Sequence, residues 1–415
     1  MNNVPVTNTR PEDSSGSEQQ SRDAMVRKLI ELGAARSPQV VAAFRKVPRH
    51  LATPELDLAT AYQTEFAAIT KKDADGVAIS SVSAARIQAM QLEQADLRAG
   101  MRVLEIGSGG VNAAYLAEIV GPTGRVVTLD IDRDVTEGAQ RFLTEAGYER
   151  QVRVVTADGE YGWAEDAPYD RIVVTVQAAD VPPAWTAQLA EGGRLVVPLR
   201  MRGMTRAVAL VRHGDRLVSD SVELCGFVPM QGAGENRVSL VLLHDAEGEE
   251  VGLRLDGHPE PDADALRTAL RSPRTDVWSG VTLAGDESNE HLDLWLTTAL
   301  DNLPLLAATP AARERGLVAS ASPLGVPTLV HGDSFAYRTV RRTEDPDRFE
   351  LGAVGHGPQG RKVAERLVQE IQNWDRGHRA DLARVEIHPA STPVAQLPAG
   401  RVVDRPHTRV LITWP

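Results

Sequence analysis

Three acidic residues, each closing a short apolar run, are the first places in this chain where chemistry could be held. Glu105 stands in Val103-Leu104-Glu105-Ile106-Gly107-Ser108-Gly109-Gly110, where an apolar strand pattern runs into a glycine-rich turn. Glycines there permit positive φ and let the backbone come close to a ligand. Dinucleotide-binding turns look similar, but the third glycine of G-x-G-x-x-G is here Asn112. A carboxylate just before the glycines would repel a pyrophosphate. It could suit the cationic methionine end of S-adenosylmethionine, directly or through water. Asp130 closes Val126-Val127-Thr128-Leu129-Asp130, where a carboxylate can accept from two ribose hydroxyls; the bland reading is a helix cap or a loop charge. Asp158, in Ala157-Asp158-Gly159, follows the next strand pattern and is placed to meet an adenine edge. With Gly107, Ser108, Gly109, Asn112, Ile131 and Gly159, these three acids are the candidate nucleoside site.

Such a site needs parallel strands that end together. Strand patterns at 103–106, 126–129, 152–156, 172–176 and 194–198 alternate with helical patterns at 111–120, 135–146 and 183–189. That alternation predicts a doubly wound α/β sheet with helices on both faces. Runs at 207–211 and 217–224 read as a closing antiparallel hairpin around Gly214-Asp215. Upstream, helices are expected at 23–32, 37–46 and 83–94, with an irregular stretch at 47–78. Ser37-Pro38 marks a helix start, a capping serine before a proline. Residues 1–20 are polar and read as a disordered tail rather than a signal peptide. Residues 21–231 then form the first domain. Residues 232–415 form a separate α+β domain, with strands at 238–243, 326–330, 335–341, 350–354, 384–387 and 409–413. Its helices fall at 291–300 and 361–374, the latter with Val363, Leu367, Ile371 and Trp374 on one face.

Composition narrows the function classes. A net charge of −12 argues against non-specific nucleic-acid binding. The arginine groups 200/202/206 and 338/341/342 read as solvated surface. No apolar run approaches the roughly 20 residues of a membrane span. Cys225 is the single cysteine, so no internal disulfide forms, and the ten histidines show no metal-type spacing. The expectation is a cytoplasmic protein without a metal. Trp278, Trp295 and Trp374 are expected in the core rather than on a peptide-binding surface.

With these motifs in place, the chain resembles the protein-L-isoaspartate O-methyltransferases over residues 23–232. The resemblance is carried by Val47-Pro48-Arg49-His50, Ala61-Tyr62, Ala78-Ile79-Ser80, the glycine motif with Asn112-Ala113-Ala114, and Asp158-Gly159. It continues through 167–172, Val181-Pro182, 192–198 and Phe227-Val228-Pro229. The resemblance implies a class I methyltransferase Rossmann-like fold, S-adenosylmethionine as methyl donor and a peptide carboxylate as acceptor. It also implies Ser80 as the catalytic residue orienting that carboxylate, helped by Ser81 and Val82. Thr175, Val176 and Gln177 would lie beside the methyl donor and touch the substrate. Without the resemblance, Ser80 reads as a helix cap.

The departures fall on the substrate side. The family's Ile-Ser-Gln/Ala-Pro-His/Tyr stretch is Ile79-Ser80-Ser81-Val82-Ser83 here, and Thr64 stands where an acid is usual. The glycine loop is one residue shorter than usual before Asn112. With the extension from 232 onward, the chain is similar to an actinobacterial branch that accompanies lanthipeptide pathways. That similarity implies methylation of an aspartate in a cyclised precursor peptide, leading through a succinimide to isoaspartate. Repair of isoaspartate in damaged proteins, methylation of a small molecule, or a non-catalytic cofactor- or peptide-binding module are the competing readings. The extension is expected to bind peptide, cover the site or form an oligomer interface.

Overall fold

A computed structural model describes residues 11–74, 76–285, 287–320, 322 and 325–415, and divides them into two compact units. The first takes in residues up to Pro198 together with Ala207–Glu235; the second holds Leu199–Arg206 and Asn236–Pro415. The first unit therefore runs four residues past the expected boundary and gives up the tip of one hairpin.

In the first unit, helices α1 (Pro11–Glu31), α2 (Pro38–Lys46) and α3 (Leu58–Ala61) precede a hairpin of β1 (Ala68–Lys72) and β2 (Ala78–Val82), then α4 (Ala85–Ala95). The alternating part follows as β3 (Arg102–Ile106), α5 (Val111–Val120), β4 (Arg125–Asp130), α6 (Arg133–Glu145), β5 (Val152–Thr156), β6 (Tyr169–Val174), α7 (Pro183–Gln188), β7 (Leu189–Met201), β8 (Met204–His213) and β9 (Arg216–Leu224). The strand order is β9-β8-β7-β6-β3-β4-β5. Strand β3 pairs in parallel with both β4 and β6, and β4 with β5. The chain winds outward from β3 to β5, then crosses to β6 on the other side. This reversal opens a crevice at the carboxyl ends of β3 and β6, where doubly wound sheets bind ligands. Helix α5 is buried on nine of its ten residues, which is why its sequence is apolar all round.

Two expectations need correction here. The tail was expected to reach residue 20, but residues 11–20 belong to α1, and residues 1–10 lie outside the described residues. Polar Ser, Glu and Gln offer no apolar stripe, yet they extend a helix whose lower half is already anchored. Met25, Val26 and Leu29 are buried, Glu18 pairs with Arg22, and Arg22 donates to the carbonyl of Arg45 at 3.1 Å. The stretch 47–78, expected to be irregular, contains a short 3-10 turn (Arg49–Ala52), α3 and β1.

In the second unit a seven-stranded antiparallel sheet carries α8 (Gly360–Gly377), with Val363, Leu367, Ile371 and Trp374 buried against it. The expected strands at 238–243, 326–330, 335–341 and 350–354 all belong to this sheet, beside three that sequence reading missed: Val251–Leu255, Thr275–Ala284 and Leu305–Ala308. Arg200, Arg206 and Arg338 are buried, not solvated. Arg338 is pinned through two contacts to Asp293 at 2.6 and 3.1 Å, and Arg200 meets Asp256 at 3.2 Å. Strand alternation turned these side chains inward, where Asp256 and Asp293 compensate the charges of Arg200 and Arg338. Trp374 lies in the core. Trp295 stacks on His378 at 4.2 Å, and Trp278 lies under the Arg341 guanidinium at 4.2 Å, both half-buried. No helix among the described residues is long and apolar enough to cross a membrane.

Candidate active site

The crevice forms a cavity lined by β2 and its exit (Ser80, Ser81, Val82), the glycine turn (Gly107, Ser108, Gly109), Glu105, Asn112, Asp130, Thr175 and Val176. Strand β3 delivers Glu105 to the cavity wall fully buried. Its Oε2 accepts from the Thr128 hydroxyl at 2.5 Å, on the neighbouring strand in register, and its Oε1 accepts from Asn112 Nδ2 at 2.8 Å. Burial pushes the Glu105 carboxyl up to about 7, against the lowering effect of those two bonds. Asn112 Oδ1 and Ser108 Oγ are buried without a partner among the described residues. Unpartnered buried acceptors beside a carboxylate suit a ligand's ammonium group.

The glycine turn is tight because it must be. Gly107 has φ +93°, and a Cβ there would stand 2.7 Å from Thr175 Oγ1 and 2.9 Å from Val176 Cγ1. At the end of β4, Asp130 Oδ2 accepts the Ser108 N–H at 3.0 Å and Oδ1 accepts the Asp132 N–H at 2.9 Å. One bond per oxygen leaves lone pairs for a vicinal diol. Burial raises the Asp130 carboxyl above its ordinary range. An adjoining slot is lined by Ile106, Leu129, Asp130, Ile131, Gly159 and Val176 on one side and by Pro229, Met230 and Gln231 on the other. On the far side of β2, a groove containing Ser80, Ser81, Val82 and Gly109 runs between the 3-10 turn and α6. Lys71 holds that hairpin against α6 through Asp132 at 2.6 Å and Asp134 at 2.7 Å.

The family model for protein-L-isoaspartate(D-aspartate) O-methyltransferase matches residues 20–235. The enzyme of that name from Hyperthermus butylicus is 36% identical over 222 residues, 51% of this chain and 89% of its own. Its counterpart from Methanopyrus kandleri is 36% identical over 223 residues, covering 51% and 92%. That from Ignicoccus hospitalis is 38% identical over 214 residues, covering 51% and 98%. This chain belongs to the protein-L-isoaspartate O-methyltransferase family. As a member it is an S-adenosylmethionine-dependent protein carboxyl O-methyltransferase built on the class I methyltransferase fold.

Most residues singled out in sequence meet in the methyltransferase crevice. Asp158 and Gln177 do not line it, and Ser80 does so from a strand. Asp158, expected at an adenine edge, caps its own turn and bonds the next loop: its oxygens accept the N–H groups of Glu160 at 2.9 Å and Ala233 at 2.8 Å. It does not line the slot beside Asp130, whereas Gly159 does. The Gln177 backbone clamps the loop 228–230, with N–H donated to Val228 at 2.8 Å and carbonyl accepting from Met230 at 3.0 Å. Ser80 is not a helix cap. It sits inside β2, where its Oγ accepts from the Thr70 hydroxyl at 2.9 Å, and α4 begins only at Ala85. His50 lies outside these cavities, bonded through Nδ1 to the Tyr62 hydroxyl at 3.0 Å. Sequence reading missed Gln88 and Gln91, which line the cavity from α4. The signal was present: glutamines at 88, 91 and 94 occupy helical spacing among apolar residues, where a core face would carry none.

If Asp130 holds the ribose, Asp130→Ala should weaken S-adenosylhomocysteine binding by about 10- to 100-fold, as befits two lost bonds to a charged acceptor. Titration calorimetry measures this directly, and an unchanged affinity would remove Asp130 from the cofactor site.

Proposed function

We infer that the chain methylates a carboxylate of an aspartyl-type residue in a peptide, which enters along the groove beside Ser80. The observation that carries this reading is the shared wall. Ser80, Ser81 and Val82 line both the crevice cavity and the outer groove, so a group lying in the groove can reach into the cavity. S-adenosylmethionine, when bound, supplies an electrophilic methyl on a sulfonium. Asp130 would hold its ribose, Ile131 and Gly159 its adenine, and Glu105 with Asn112 and Ser108 its amino-acid end.

The chain's own part is positioning. An acceptor carboxylate, with an ordinary pKa near about 4, is ionised at neutral pH and needs no base. Ser80 Oγ already accepts the Thr70 hydroxyl proton, so its own proton is free to point at a carboxylate oxygen. Thr175 is fixed by donating to the Gly107 carbonyl at 2.5 Å, and with Val176 it closes the cavity beside the turn. Rate enhancement comes from holding and partly desolvating the nucleophile in line. Ser80→Ala should therefore lower kcat about 10- to 100-fold with S-adenosylhomocysteine affinity unchanged. Full activity of that variant on the true acceptor would remove the assigned role.

Two acceptors compete. The relatives' names favour an isoaspartyl residue in damaged protein. The altered stretch Ser81-Val82-Ser83, Thr64 and the second unit, which lies outside the matched residues, favour a dedicated precursor peptide whose ester would close to a succinimide. The second unit would then serve to hold that peptide. Mass spectrometry of an isoaspartyl peptide and a cyclised precursor peptide, each incubated with enzyme and S-adenosylmethionine, decides. Methylation followed by loss of methanol, a net loss of water relative to the starting peptide, on the cyclised peptide alone establishes the dedicated reading; methylation of the isoaspartyl peptide establishes repair.

A further inference from the structure

Gln88 and Gln91 lie one turn apart on α4, 4% and 1% exposed, and both line the cavity. Buried amides normally have their hydrogen-bonding groups met within the protein. Here each is half met. Gln88 Oε1 accepts from Arg49 Nη1 at 2.9 Å, and Arg49 is itself buried and held by donating to the carbonyls of Ala61 at 2.9 Å and Ser83 at 3.1 Å. Gln91 Nε2 donates to the carbonyl of Val174 at 2.9 Å. A guanidinium only donates and a carbonyl only accepts, so these partners fix which way round both amides point. Gln88 Nε2 and Gln91 Oε1 remain without a partner among the described residues. Gln94, a turn further on, is half met as well: its Nε2 bonds the Ala207 carbonyl and the Ser221 hydroxyl, both at 3.0 Å, and its Oε1 is buried without a partner among the described residues; what sets Gln88 and Gln91 apart is that they line the cavity and Gln94 does not.

A neutral donor beside a neutral acceptor suits a group that itself offers one acceptor and one donor, and with the cofactor's amino-acid end assigned to Glu105, Asn112 and Ser108 that group is an amide. A carboxylate would be repelled by Gln91 Oε1, and an ammonium by Gln88 Nε2. A peptide bond offers a carbonyl to the first and an N–H to the second. We propose that Gln88 and Gln91 dock the backbone amide adjoining the methylated carboxylate, with Arg49 as the residue that positions Gln88. This rests on the peptide-acceptor reading and adds a source of specificity to it: a site built to bond an N–H rejects an acceptor lacking one, because its own buried oxygen is left unpaired.

The test takes whichever of the two peptides above, isoaspartyl or cyclised precursor, the enzyme methylates and compares it with its ester analogue, in which oxygen replaces the N–H of the bond following the methylated residue. Binding to wild-type enzyme saturated with S-adenosylhomocysteine is read by fluorescence anisotropy, and methyl transfer by kcat/KM. The ester should bind, and react, about 10-fold worse, the ordinary worth of one buried bond. Gln91→Met should bring the amide peptide down to the ester's level, leave the ester unaffected and leave S-adenosylhomocysteine affinity unchanged. Equal handling of both peptides by wild-type enzyme that methylates them overturns the docking pair and leaves the peptide-acceptor reading standing. A parallel loss of S-adenosylhomocysteine affinity in Gln91→Met also overturns it, by placing the amide on the cofactor. If wild-type enzyme methylates no peptide, the reading beneath it falls and the pair's role with it. The wild-type comparison does not depend on any variant folding.

Discussion

Replacing Glu105 by Gln is expected to make the free protein more stable above pH 7 and, at the same time, poorer at holding its cofactor. The Glu105 carboxyl is fully buried and raised to about 7, against about 4.5 for an ordinary glutamate. Between those values the folded protein binds a proton that the unfolded chain does not. The stability this contributes is complete below about pH 4.5 and is lost as pH rises through 7, because folding then confines a charge. By pH 8 the loss approaches roughly 3 kcal/mol. Glutamine cannot ionise, keeps the Asn112 and Thr128 partners, and removes the slope. Thermal midpoints of the two proteins should therefore coincide near pH 5 and separate towards pH 8, the variant higher. Binding runs the other way. A cationic ligand beside Glu105 favours the ionised carboxylate, so wild-type affinity for S-adenosylmethionine should fall as pH drops below 7. Glu105→Gln should bind about 10- to 100-fold more weakly at pH 8, with that pH dependence gone. If calorimetry finds the variant binding as tightly as wild type at pH 8, Glu105 plays no electrostatic part in cofactor binding.

Why Glu105 was legible in the sequence, and Gln88 was not, has a physical explanation. Parallel strands flanked by helices produce short apolar runs with sharp ends, and the residue at each end is forced to the crevice. Glu105 and Asp130 could therefore be placed from position alone, and helix α5 and strand β5 fall where their apolar runs begin and stop. Ser80 was found through resemblance, and its surroundings were misread: Ile79 to Val82 alternates too briefly to show a strand, and its pairing with β1 shifts register on both sides of Lys71, the residue opposite Ser80. Asp158 could be located but not its partners, because the Ala233 N–H arrives from a loop 75 residues on. The arginines at 200 and 338 were taken for surface because a buried charge is legible only with its counter-ion, and Asp256 and Asp293 lie far away in the chain. Local periodicity reports which face a residue occupies. It does not report what waits on the other side of that face.

The two cavity glycines separate folding from binding. Gly107→Ala places a methyl at φ +93°, 2.7 Å from Thr175 Oγ1 and 2.9 Å from Val176 Cγ1. Thr175 cannot simply rotate away, since its hydroxyl is committed to the Gly107 carbonyl and its N–H to the Ile106 carbonyl at 2.8 Å. Backbone strain and overpacking together should cost about 2–5 kcal/mol. The turn must open to relieve them, which moves the Ser108 N–H away from Asp130 and dismantles the ribose end of the site. Cofactor binding should fall by more than about 100-fold, with a clear drop in thermal midpoint. Gly109→Ala meets only the Ser81 carbonyl oxygen, at 3.8 Å, an ordinary contact, and its φ is not in the left-handed region. That variant should melt close to wild type while its methyl intrudes on the cavity that Gly109 lines. Weaker S-adenosylhomocysteine binding by Gly109→Ala at unchanged stability would show the turn's backbone close against the cofactor. Undiminished binding by Gly109→Ala would mean instead that the cofactor does not approach this part of the turn, leaving Gly107 as a glycine required by the fold alone.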